Sequence, residues 1–111
     1  PDTNASATPP QEPIIKMVNP SITWTIWKNN YPESQFDNVV ELFNLFRSEL
    51  PGITNWQTGP ITNFDVADVI AFKLGANEYA LIYIRRIDNG TENTSSKQSG
   101  IEFRCIYPVY P

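Results

Sequence analysis

The chain has no histidine and one cysteine, Cys105, in 111 residues. Without histidine there is no Ser-His-Asp triad, no Cys-His dyad, no imidazole ligand for zinc and no side chain that ordinarily titrates near neutrality. One cysteine closes no intramolecular disulfide and builds no thiolate metal site. Long apolar runs are missing too. Nothing approaches the roughly 18–20 apolar residues that cross a bilayer as a helix, so no membrane span is expected. No basic stretch leads into an apolar one as in a signal peptide. Positive charge is scarce: 8 Lys and Arg stand against 12 Asp and Glu, a net charge of −4. Only Arg85 and Arg86 are adjacent. A phosphate backbone needs clustered positive charge, so nucleic acid is not an expected partner. There is no Gly-rich phosphate loop. The stretch "IDNGTEN" (87–93) has oxygen donors and a glycine without calcium-loop spacing. No cofactor or metal is therefore expected.

What remains is a globular composition, 41% hydrophobic and 18% charged. The length suits one domain with a modest core. Residues 1–13, "PDTNASATPPQEP", have no large apolar side chain to repay the entropy of ordering, and are expected to form a flexible leader or linker ahead of a domain over 14–111. Because it begins at Pro1 rather than Met, the sequence is expected to be a processed form or a fragment.

Two periodicities organise the rest. "SITWTIWK" (21–28) alternates, with Ile22, Trp24 and Ile26 on one side and Thr23, Thr25 and Trp27 on the other, which predicts a half-buried strand. "IIKMV" (14–18) is a candidate short strand, broken by Pro20. Between 30 and 52 the spacing switches to 3 and 4. Phe36, Val39, Val40, Phe43, Phe46 and Leu50, widened by Leu42 and Leu45, predict an amphipathic helix capped by Asn30 or Ser34 and ended by Pro51-Gly52. Residues 53–64 form a long connection with a turn at Gly59-Pro60 and room for one short edge strand. Then "DVIAFKL" (68–74) and "EYALIYIRRI" (78–87), joined by "GAN", predict a hairpin. A polar loop over 88–100 leads to a last strand, "IEFRCIY" (101–107), which Pro108 is expected to end. The fold class is α+β: one amphipathic helix on a four- to five-stranded antiparallel sheet, in the order β-(β)-α-β-β-β.

The hairpin is apolar on both faces, and one helix covers one face. The second face must be covered by the N-terminal strand, by 53–64, by sheet curling or by another molecule. Large rings with a polar handle suit interfaces and sugar-binding surfaces. Trp27, which shares a face with two threonines, and Trp56, in a loop, are therefore candidate binding residues, with Tyr79 and Tyr83 on the hairpin and Glu102 and Arg104 on the last strand. Trp24 is expected in the core. Cys105 alternates with Ile101, Phe103 and Tyr107 and is expected to be a small, inert core residue.

Acidic pairs give a weaker signal. Glu33, Asp37 and Glu41 suit the positive end of a helix dipole better than catalysis. Asp65 and Asp68 flank a strand start. Glu102 and Arg104, with Arg85 or Arg86 opposite, loosely resemble the sheet-borne site of small microbial ribonucleases, which use the histidine that this chain lacks; cross-strand ion pairing is the simpler reading. Sequons at Asn4, Asn89 and Asn93 tip the expectation toward a secreted or otherwise extracytoplasmic protein, although their number is only slightly above chance. The expectation is a non-enzymatic interaction or assembly domain, secreted or surface-tethered, that uses an aromatic and apolar sheet face to meet another protein or a second copy of itself. A glycan-binding module and a small histidine-free, ribonuclease-like hydrolase are the alternatives.

Overall fold

A computed structural model describes residues 13–28, 39–88 and 100–111. The helix caps at Asn30 or Ser34, the side chains of Glu33, Phe36, Asp37 and Val39, the leader over 1–12, all three sequons and most of "IDNGTEN" lie outside the described residues. Within them the chain runs β1 (Thr23–Trp27), α1 (Val39–Glu49) with a 3-10 turn at Leu50–Gly52, β2 (Val69–Lys73), β3 (Tyr79–Asp88) and β4 (Gly100–Val109). The four strands form one antiparallel sheet in the order β1-β2-β3-β4. The expected α+β class is what folds, with the helix between the first two strands. No helix among the described residues is long and apolar enough to cross a membrane.

Period-two alternation sorts the hairpin into two cores. Val69 and Ala71 of β2, with Tyr79, Leu81 and Tyr83 of β3, face Leu42, Phe43 and Phe46 of α1 and Leu50 of the turn. Ile70 of β2, with Ile82 and Ile84 of β3, points the other way, onto Trp24, Ile61 and Phe64. The second layer contains no helix. It is a strap made of two irregular segments. The 53–64 connection passes round the outer edge of the sheet. Ile53 and Trp56 pack on the helix side, Gln57 exchanges two backbone hydrogen bonds with Trp24 of β1 (2.9 and 2.8 Å), and Ile61 lies in the second core. Ile15 then pairs with Ile61 through bonds of 3.1 and 2.8 Å. The candidate strand over 14–18 and the candidate edge strand in 53–64 are thus isolated bridges rather than strands of the sheet. Gly59 turns the connection with φ 86°, a conformation that costs glycine nothing.

Two other expectations change. Val40 and Leu45 are about half exposed, while Leu42 is buried. At roughly 100° per residue, positions 42, 43, 46 and 50 fall within one face, and 40 and 45 lie on its two flanks. Pro108 does not end the last strand, because Tyr79 still pairs with Val109. Between Ile106 and Val109 β4 takes one step more than β3, and a proline without an N–H fits such an irregularity on an edge strand.

Phe46 is among the most deeply buried rings, so truncation should cost most there. Phe46→Ala is expected to destabilise the fold by about 3–5 kcal/mol. Val40→Ala on the exposed flank should stay within about 0.5 kcal/mol. Urea unfolding of the two variants checks this.

Candidate functional site

The six binding residues expected from the sequence all lie on the helix side of the sheet, and most are spent on packing. Tyr79 and Tyr83 are 5% and 2% exposed. The expectation that they present rings to a ligand is corrected: their parity puts them beside Leu81, directly under α1. Trp27 is half-buried with its ring centroid 4.6 Å from that of Phe46. Trp56 stacks on Tyr79 at 5.7 Å, and the Lys73 ammonium lies 5.7 Å from the Trp56 centroid. Both indoles therefore have ring partners within the chain. Glu102 and Arg104 are exposed on β4. Glu102 lies opposite Arg86 in register and accepts a 3.0 Å bond from Arg85 Nη1. Arg104 lies opposite Tyr83. An exposed cross-strand pair of this kind contributes a few tenths of a kcal/mol to about 1 kcal/mol.

The carboxylates Asp65 and Asp68 meet a different cation. Lys28, just past β1, donates to Asn63 O at 2.7 Å, Asp65 Oδ2 at 3.1 Å and Asp68 Oδ2 at 2.7 Å. Asp68 is fully buried, and its Oδ2 also accepts the Asp65 N–H at 2.7 Å. Its Oδ1 has no hydrogen-bond partner among the described residues. Next to it, Ala67 takes a left-handed φ of 74°, held by its N–H on Ile84 O (2.8 Å) while Ile84 N–H reaches Asp68 O (3.0 Å). Lys28 also borders a groove of ≈ 330 Å³ lined by Trp24, Gln57, Pro60 and Asn63. The Trp24 indole N–H is committed to Gly59 O at 2.9 Å. The ammonium thus acts as a partly solvated cation that pins the strap to the end of β1. Glu102 belongs to a separate ion pair, so the acidic residues considered for hydrolysis divide between two networks.

What sequence reasoning missed is the outer part of β4. Phe103, Tyr107 and Tyr110 are each about half exposed, and Cys105 is exposed. The expected alternation of Ile101, Phe103 and Cys105 holds, since Cys105 lies opposite Ile82 and Phe103 opposite Ile84. The expected burial of Cys105 does not. The strap covers Ile82 and Ile84 and reaches Ile101, but neither Phe103 nor Cys105 belongs to the second core. Partial desolvation still holds the Cys105 thiol above its ordinary value of 9.0. The Tyr110 hydroxyl donates to Glu78 Oε1 at 3.1 Å, tying the C-terminal residues to the hairpin turn. The available signal was position: the last strand of a sheet built in chain order has a neighbour on one side only. No family model, curated protein or solved structure matches this chain.

Lys28→Met leaves the buried Asp68 carboxylate without its cation, and should destabilise by roughly 1–3 kcal/mol. The loss is modest because Lys28 itself is partly open to water. Lys28→Met/Asp68→Asn should recover part of the loss in urea unfolding. Desolvation lowers the Lys28 pKa, but hydrogen bonds to Asp68 and Asp65, and then their charges, outweigh it and raise the pKa above 10.5. The stabilisation is therefore complete below 10.5 and is lost as pH rises through the folded value, and this alkaline loss should be absent from Lys28→Met. Separately, a maleimide or disulfide reagent should label Cys105 in the native protein without unfolding, faster as pH rises toward the raised thiol pKa. Labelling that waits for denaturant would contradict the exposure of this strand.

Proposed function

We propose that this chain is a non-enzymatic protein-interaction or assembly domain, and that it engages its partner through β4. The observation that carries this is the state of the sheet's two edges. The outer edge of β1 is partly closed by Gln57, whereas no described strand pairs with the outer edge of β4. An unpaired strand edge is a template for a further strand, and natural proteins usually shorten, cover or charge it. β4 is ten residues long and carries half-exposed Phe103 and Tyr107. Main-chain bonds along such an edge supply affinity, and alternate side chains supply selectivity. The sequons fit a secreted or surface-tethered setting.

The test is hydrodynamic. Added to an extract of its source, the purified 111-residue chain should elute in gel filtration well above the 12.6 kDa mass of one copy. Phe103→Lys should return it to the monomer position while retaining its thermal transition. Wild-type protein that elutes as a monomer both in the extract and at high purified concentration would contradict the proposal.

A further inference from the structure

We infer that the strand received by β4 is β4 of a second copy, paired antiparallel about a two-fold axis at Phe103. This rests on the edge-strand interaction proposed above and names its partner. The register of β4 gives the first support. Its irregularities fall at Arg85, on the β3 side, and at 107–108, on its own side. Residues 100–106 step without interruption, and Phe103 is their centre.

The second support is charge. A two-fold axis normal to the sheet keeps each residue on its own face, and directly opposed residues in an antiparallel pair share a face. Only registers with a residue on the axis satisfy both conditions. With Glu102 on the axis, two carboxylates oppose each other. With Arg104 on the axis, two guanidinium groups do. With Cys105 on the axis, Arg104 meets Ile106 and Glu102 meets Pro108. With Phe103 on the axis, Glu102 of each copy lies opposite Arg104 of the other, twice by symmetry. On the opposite face Phe103 meets its own symmetry mate, and Ile101 meets Cys105. Charges on an edge strand ordinarily discourage pairing with an arbitrary strand. Here the same two charges complement each other in one register, and so admit this chain while disfavouring others. The product is a continuous sheet of twice four strands with both helices on one side.

Light scattering on the purified chain should show a concentration-dependent dimer. Glu102→Arg and Arg104→Glu, each of which places like charges opposite one another twice, should each weaken it about tenfold. Glu102→Arg/Arg104→Glu should restore the dimer to within about threefold of wild type, taking tenfold as 1.4 kcal/mol. The double variant does not rebuild the Arg85–Glu102 pair, so its recovery reports contacts between copies. Circular dichroism melts confirm folding of all three. Ile101→Cys should give an oxidised, reducible covalent dimer through Cys105 of the other copy. Within one copy those positions lie about 13 Å apart along the strand, too far to bond. Wild-type Cys105 should give no such dimer. A covalent wild-type dimer, failure of the double variant to recover, or a monomer at all concentrations overturns self-pairing. If the purified chain is monomeric while its complex in the extract remains sensitive to Phe103→Lys, self-pairing falls and the interaction reading stands. If that complex is also absent, both fall.

Discussion

The structure depends on one constraint: β2 and β3 are apolar at both parities. Val69 and Ala71 cannot be buried together with Ile70 by a single layer, because successive side chains leave opposite faces of the sheet. Two layers of cover are required, and the described residues contain one α-helix. The helix takes the face of Leu81 and Tyr83. The other face is closed by backbone of little regular structure, 13–17 and 57–64, which must satisfy its own polar groups. It does so by two isolated bridges, Ile15 to Ile61 and Gln57 to Trp24, placed where Ile61 and Trp24 reach the second core.

The strap also needs an anchor, and this gives the Lys28 cluster its structural meaning. Lys28 leaves the end of β1 and collects Asn63 O, Asp65 and Asp68 at the end of the connection. One ammonium therefore fixes where the strap ends and where β2 begins, and the buried Asp68 depends on it for charge compensation. The cover is thereby placed over β1, β2 and β3. β4 continues the ladder beyond it, so its middle residues keep strand geometry without the second layer. Its exposed aromatics follow from where the strap ends, and no described strand lies along its outer edge.

Much of this was legible in the sequence. The hairpin, the alternation of β1 and the need for cover on a second face follow from period-two patterning, and the Phe43, Phe46, Leu50 stripe follows from helical spacing. The use of each ring was not legible. Tyr79 and Phe103 look alike as aromatic strand residues, but one lies on an inner strand under a helix and the other on an edge strand beyond the strap. Strand order and the extent of the cover decide that, and neither is a local property. Cys105 was misplaced for the same reason: alternation assigned its side correctly, while burial depended on what lay over that side. The Lys28 cluster left no pattern because its acidic partners are 37 and 40 residues away in the chain.

The central claim is that the outer edge of β4 is where this protein meets a second copy of itself. Residue-resolved amide hydrogen exchange, compared between dilute and concentrated protein, tests it most directly. The amides in 100–106 that point away from β3 should slow on concentration, while those of β2, already paired on both sides, should not change. Unchanged exchange along β4, or protection that arises on the exposed flanks of α1 at Val40 or Leu45, would contradict it.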